Sequence, residues 1–249
     1  MRIMIIGATS GIGLALARHY LAHGAALALC GRHLERLDGD PLRSDPRVRC
    51  YGFDIADGPA LAHAMDDFAA DGLDLLIVTA GQYADAATLA ARPEAGFELI
   101  RTNIVGLCQA FDAAAAVMRR QADGLHGRGQ LVAVASIAGL LDEYPGGSLY
   151  SATKRAAIAV CDAYRRTLAP YGIAVTAIVP GYVDTARLRE LNGGDARAKP
   201  FLLPEADAVQ RIAEAIERRA ERCVFPWQLH LLVRWFNRLP LRLRQRRRK

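Results

Sequence analysis

Apolar residues in this chain follow two rhythms. Short, nearly unbroken runs stand at Ile3 to Ile6, Ala26 to Cys30, Val48 to Phe53, Leu73 to Thr79, Leu131 to Ala135, Ala174 to Val179 and Cys223 to Phe225. In longer stretches apolar residues return every three or four positions. One ends near His23, one runs from Glu94 to about Arg120, one spans 149 to 169, and one runs from Pro204 or Glu205 to about Arg222. The short runs predict strands and the long ones predict helices with one buried side. Residues 186 to about 204 lack a clear strand. They hold Asn192-Gly-Gly and close on Phe201-Leu-Leu-Pro204, which predicts a glycine-hinged lid.

Gly7-Ala-Thr-Ser-Gly11-Ile-Gly13 separates the first strand from the first helix. Glycines let a backbone close on a pyrophosphate, and a helix N-terminus offers unpaired N–H groups with a partial positive charge. The spacing, Gly-x-x-x-Gly-x-Gly, differs from the commoner Gly-x-Gly-x-x-Gly. Further on, Ser136 stands just past the fifth apolar run, at the strand end where open α/β sheets bind ligands. The helix at 149 to 169 opens on Tyr150-Ser-Ala-Thr-Lys154, so the phenol and the ammonium lie four residues apart on one face. A positive charge beside a phenol favours the phenolate and lowers its pKa from the usual value near 10. That chemistry moves a proton on an alcohol or a carbonyl. Alone, Tyr-x-x-x-Lys recurs in helices by chance, and Asn103 inside the helix beginning at Glu94 has unremarkable propensity.

Taken together, the glycine pattern, Asn103, Ser136, Tyr150 and Lys154 resemble the classical short-chain dehydrogenase/reductase family, in order and register over residues 1 to 226. The resemblance implies a single Rossmann-type α/β domain, a doubly wound parallel sheet of seven strands, and a nicotinamide dinucleotide cofactor. It also implies a catalytic tetrad of Asn103, Ser136, Tyr150 and Lys154, with Asn103 holding a water beside the lysine. The cofactor would meet Gly7, Thr9, Ser10, Gly11, Ile12 and Gly13 at the first turn, Ala80 and Gly81 after the fourth strand, and Tyr150 and Lys154 themselves. By the same resemblance Asp54 and Ile55 contact adenine, although Asp54 suits a turn or a helix cap equally well. Pro180, Gly181, Val183 and Thr185 are assigned to the nicotinamide. Val78-Thr79-Ala80-Gly81 departs from the family's Asn-Asn-Ala-Gly, so the Thr79 hydroxyl has to replace amide hydrogen bonds. Arg32, with no acid next to it after the second strand, favours NADP(H) over NAD(H), because an arginine accommodates a 2′-phosphate that a carboxylate repels. An ordinary solvated charge, or a guanidinium stacked on adenine, would read the same way.

Composition narrows the setting. A chain of 249 residues that is 52% hydrophobic can bury a large core as one domain. Its five cysteines, at 30, 50, 108, 161 and 223, show neither a close pair nor metal-ligand spacing and read as reduced core residues. The N-terminus runs straight into a strand, so a cytoplasmic protein is expected. The formal charge of +6 is local: residues 227 to 249 hold eight Arg or Lys and no acid, leaving 24 basic and 26 acidic residues in the rest. A nucleic-acid partner is therefore disfavoured.

From Trp227 the chain predicts an amphipathic helix with Leu229, Leu232, Val233, Phe236 and Leu239 on one face, followed by an Arg-rich end. An anionic membrane at the inner face, a neighbouring subunit and the body of the chain are the three surfaces such a face could meet.

Leu140, Leu141, Tyr144, Tyr182 and Leu188 are pocket candidates, mostly apolar, and suit a neutral alcohol or carbonyl. A hydride-transferring oxidoreductase is the leading expectation, working as a homodimer or homotetramer. The alternative is a cofactor-binding sensor or scaffold, which loss of Tyr150 or Lys154 would have signalled. An epimerase or dehydratase of related fold generally needs a separate substrate domain, for which there is no room.

Overall fold

The computed structural model describes residues 1–121, 129–142 and 149–240. β1 (Arg2–Ile6), β2 (Ala26–Gly31), β3 (Val48–Gly52), β4 (Leu75–Val78), β5 (Gln130–Val134), β6 (Ala174–Pro180) and β9 (Arg222–Phe225) form one sheet in the order β3-β2-β1-β4-β5-β6-β9. Every neighbouring pair is parallel. The strands stand where the apolar runs predicted them, and the architecture is the Rossmann-type α/β fold that the family resemblance implied.

Along β1 the side chains alternate: Ile3 and Ile5 enter one core, Met4 and Ile6 the other. The first core lies under α1 (Gly11–Ala22) and α8 (Glu205–Glu217). The second lies under α2 (Gly58–Phe68), α5 (Gly106–Arg120) and α6 (Leu149–Leu168). Because both faces are covered, the strands are apolar at nearly every position rather than at every second one.

Three local expectations change. The stretch from Glu94 to Arg120 is not one regular helix. It is α4 (Glu94–Ile100), a π-helical turn at Arg101–Val105, and α5. A π turn adds a residue to the helical repeat and shifts the phase of the helix, which carries Thr102 and Asn103 inward to 7% and 4% exposure.

The helix from Glu205 stops at Glu217, because Arg219 takes a positive φ of 50° and turns the chain toward β9. Residues 186 to 204 are more ordered than a strandless lid: α7 (Ala186–Glu190) opens them, and β7 (Val183–Asp184) pairs in parallel with β8 (Leu203–Pro204). A short α3 (Ala86–Ala91) precedes α4, and α9 (Trp227–Arg238) closes the described chain. Val233 of α9 belongs to the second core, so this helix is seated on the body.

Candidate active site

β1 and β4 lie side by side where the sheet order reverses, and the loops leaving their carboxyl ends are locked together. The Gly7 and Ala8 N–H groups donate to Cys30 O, while Thr79 and Ala80 N–H donate to Ile6 O at 2.8 and 2.9 Å. The Thr79 hydroxyl lies 3.2 Å from Ile6 O and 3.0 Å from Gly7 O, so one short side chain does the work expected of asparagine. A Cβ on Gly7 would sit 2.5 Å from Ala80 N, and one on Gly13 would sit 2.2 Å from Gly7 O. These two positions admit only glycine.

At the tip, Gly11 has φ +50° and Ser10 is the extended N-cap of α1, its hydroxyl making no capping bond. With no acidic residue in the first turn, this helix start suits a pyrophosphate. Thr9 packs on Gly31, and Ile12 is half-buried against the first core.

At the end of β2, Arg32 Nη1 lies 3.7 Å from Asp54 Oδ2, so the arginine that lacked an acid in sequence gains one in space. Asp54 also accepts from Ala56 N–H at 2.9 Å and so holds its own turn. Ile55 is buried, and a Cβ on Gly106 of α5 would approach it to 2.7 Å.

Ser136 follows β5, and its Oγ accepts from Ala138 N–H at 3.2 Å. Tyr150, in the first turn of α6, is hydrogen-bonded to Ser136. Lys154, one turn further on, is 7% exposed and donates to Val134 O at 3.0 Å, with Nζ 5.9 Å from the Tyr150 ring centroid. α6 rides directly on the turn after Ser136: a Cβ on Gly139 would lie 2.7 Å from the backbone carbon of Lys154. Asn103 completes the group. Its Oδ1 accepts from Gln82 N–H at 2.8 Å, and its Nδ2 donates to Gln82 O and to Thr153 Oγ1, both at 3.0 Å. Gly81 lies between them, where a Cβ would stand 3.0 Å from Lys154 Nζ and 3.4 Å from Asn103 Oδ1. The four residues predicted to act together do converge.

Their titration differs from expectation. Burial pushes the Tyr150 phenol above its usual pKa, and the hydrogen bond with Ser136 offsets only part of that. The Lys154 ammonium stands 5.9 Å from the ring centroid and donates to the Val134 carbonyl, and burial of the phenol outweighs it. Burial also brings Lys154 itself down to about 8.

The model of the short chain dehydrogenase family matches residues 1–196. An uncharacterised oxidoreductase of Mycobacterium tuberculosis is 28% identical, over 98% of this chain and 96% of its own. Another from Myxococcus xanthus is 30% identical, over 95% of this chain and 92% of its own. Among solved structures, a short-chain dehydrogenase from Sphingobium yanoikuyae in complex with NADPH superposes with a TM-score of 0.80 at 26% identity, over 94% of this chain and 90% of that one. One from Burkholderia cenocepacia with NADP superposes equally well at 25% identity, over 100% and 97%.

The chain belongs to the short-chain dehydrogenase family. As a short-chain dehydrogenase it is an oxidoreductase of the NAD(P)-dependent class. Its turn at Pro180 to Thr185 is shaped from both sides. A Cβ on Gly181 would come within 2.8 Å of Leu229 and 3.0 Å of Pro226, so α9 presses on this turn. Val183 is buried in the first core, and Thr185 caps α7 through Leu188 N–H with its methyl toward Gly11. Tyr182 lies under Lys199, between α7 and β8, at 5.4 Å, and Leu203 N–H donates to Tyr182 O. Leu140 and Leu141 pack on the second core, Leu188 is half-buried, and Tyr144 lies outside the described residues.

Four further contacts were not legible beforehand. Tyr83 meets the Tyr150 ring edge to face at 5.0 Å. Thr153 links Asn103 to the Tyr150 carbonyl, to which it donates at 2.8 Å. The Val134 carbonyl holds Lys154. Asn237 of α9 donates to Leu140 O at 2.7 Å and accepts from Asp142 N–H at 3.2 Å. Only Thr153 carried a signal, by lying inside the Tyr-Ser-Ala-Thr-Lys motif.

Proposed function

We propose that this short-chain dehydrogenase reduces a neutral, apolar carbonyl compound to its alcohol with NADP(H), residues 1–226 forming the catalytic unit. The observation that carries the reading is the hydrogen-bonded Ser136–Tyr150 pair with Lys154 one helical turn behind it. When bound, the reduced nicotinamide supplies the hydride that the carbonyl carbon accepts.

Ser136 holds the substrate oxygen, and Tyr150 donates its phenolic proton to that oxygen as negative charge develops there. A phenol whose pKa is raised stays protonated at neutral pH, which suits a proton donor. Lys154, while charged, stabilises the phenolate left behind. Asn103 and Thr153 keep the start of α6 in place.

The cofactor fits this chain. Gly7, Gly11 and Gly13 clear the backbone for a pyrophosphate, with Thr9, Ser10 and Ile12 at the rim. Ala80 and Gly81 would border the cofactor past the fourth strand, and Pro180, Gly181, Val183 and Thr185 would hold its nicotinamide end.

Arg32 would meet the 2′-phosphate of NADP(H). Its ion pair with Asp54 is exposed and worth ~0 to 1 kcal/mol, too little to withhold the guanidinium from a phosphate dianion. The NADP(H) complexes among the superposable relatives support the same choice. Asp54 and Ile55 then shape the adenine side through their turn.

Among the described residues Leu140, Leu141, Tyr182 and Leu188, joined by Tyr83, make an apolar substrate wall, and the single Lys199 over the Tyr182 ring is not the cluster of cations that would hold a phosphate or carboxylate. The working unit is an intracellular homo-oligomer.

The test is NADPH and NADH oxidation across aldehydes, ketones and long-chain 3-oxo compounds. Turnover of apolar carbonyls with NADPH is expected. Tight NADPH binding without turnover of any class would favour a sensor or scaffold instead.

A further inference from the structure

α9 has two working sides. Leu229 and Val233 face the body, and Asn237 ties the helix to Leu140 and Asp142. The outer side is apolar and open: Trp227 is 63% exposed, Leu231 51%, Leu232 49% and Trp235 63%. Trp227, Leu231 and Trp235 recur every four residues and form one stripe, with exposed Arg234 and Arg238 beside it. The apolar face expected from sequence is thereby divided, part of it packed inward and a different, tryptophan-rich part left outward. The nine residues after Pro240 contain five Arg and one Lys and no acid.

We propose that this outer face of α9 docks flat on an anionic lipid surface. Tryptophan prefers the level of lipid headgroups, leucine enters the acyl boundary, and arginine meets lipid phosphate and carboxylate. No described helix is long and apolar enough to cross a membrane, so the contact is peripheral.

Charge selects lipid over a second copy of the chain. A two-fold contact through this stripe would set the same basic segment of each copy against the other, with no acid among residues 227–249 to neutralise it. An anionic surface has the opposite sign everywhere. Because Asn237 anchors α9 to the loop following Ser136, the docked surface stands beside the substrate wall. That position suits an apolar carbonyl drawn from the lipid, a consequence that rests on the proposed reaction. The docking itself does not.

The chain's only two tryptophans, Trp227 and Trp235, both lie on this stripe, so its intrinsic fluorescence reads the contact directly. The full chain is titrated with vesicles of phosphatidylcholine alone and of phosphatidylcholine mixed with phosphatidylserine. A blue shift confined to the mixed vesicles, reversed by high salt and quenched by brominated acyl chains, is expected. In sedimentation with the same vesicles, Trp227→Gln/Trp235→Gln should lose about tenfold or more in partitioning, and Arg234→Gln/Arg238→Gln a further several-fold relative to wild type. The tryptophan variant should keep wild-type NADPH binding, which shows it is folded. An unshifted spectrum with mixed vesicles overturns the proposal, as does an equal shift on both vesicle types. So does a lipid-free blue shift that grows with protein concentration alongside a doubling of molecular size, which would assign the stripe to a second copy. Each of these readouts is independent of turnover, so failure of the docking and failure of the reductase reading are separable.

Discussion

Tyr150 and Lys154 carry opposite burdens in the same pocket, and each can be read by itself. Removing the phenolic oxygen in Tyr150→Phe deletes the proposed proton donor and leaves the ring that packs against Tyr83. The expected loss in kcat is about 10²- to 10⁴-fold with NADPH affinity retained. Steady-state kinetics beside a cofactor titration checks both halves, and an unchanged kcat would remove Tyr150 from the chemistry.

On the proposed mechanism Lys154 sets the pH dependence. With a folded-state pKa of about 8, it loses its charge as pH rises through that value, so kcat/KM for carbonyl reduction should fall above about 8. Lys154→Arg, which stays charged, should push that limb to higher pH. A flat profile in wild type would mean the charge is not used.

The same group leaves a mark on stability. Between about 8 and its ordinary 10.5 the unfolded chain holds the lysine proton that the folded chain has released, so stability rises with pH across that window. Tyr150 works in the other direction at higher pH, because the folded state keeps the phenol proton longer. Urea unfolding as a function of pH in wild type and Lys154→Met separates the lysine's share, which should vanish in the variant.

At the scale of elements, the site depends on segments arriving from far along the chain. The π turn brings Asn103 to Gln82 and Thr153, and the glycine at 139 lets α6 rest on the turn beyond β5. α9 contributes in a way the catalytic motif gives no hint of. Asn237 satisfies a carbonyl and an N–H of the Leu140 to Asp142 loop at once.

Asn237→Ala leaves both groups without this partner and should cost about 1 to 3 kcal/mol in stability. Because the freed loop lines the proposed substrate wall and the tetrad is untouched, KM should rise more than kcat falls. Differential scanning calorimetry and kinetics on one good substrate test this, and an equal drop in kcat with KM unchanged would refute the loop as the point of action.

For the molecule as a whole, the turn proposed to hold the pyrophosphate joins β1, β2 and β4, so cofactor binding there should be coupled to folding. NADPH at a hundredfold excess over its Kd should stabilise the fold by about 2.7 kcal/mol. For a chain of this size that corresponds to a rise in Tm of roughly 5 to 10 °C. At equal concentration NADH should give a smaller shift. Arg32→Asp should reverse the order by replacing a guanidinium with a carboxylate at the 2′-phosphate. A wild-type protein stabilised more by NADH would overturn the cofactor assignment.

Much of this was written locally. Strands buried on both faces must be apolar at nearly every position, so runs such as Ile3 to Ile6 announced themselves. A glycine turn between strand and helix was visible at Gly7 to Gly13, and a phenol and an ammonium four apart in a helix were visible at Tyr150 and Lys154. These features depend on spacing of a few residues, which sequence states directly.

What tertiary structure alone decided depends on distance through space. Asp54 comes to Arg32 because β2 and β3 are neighbours, and Thr79 reaches Gly7 because β4 lies beside β1. Lys154 found a partner in Val134 O, and burial moved the pKa of the phenol up and that of the lysine down. The helix at Trp227 offered an amphipathic pattern with two sides. Which side faces inward was settled by where Leu229 and Val233 find the core, since periodicity gives a face and only packing says what it meets.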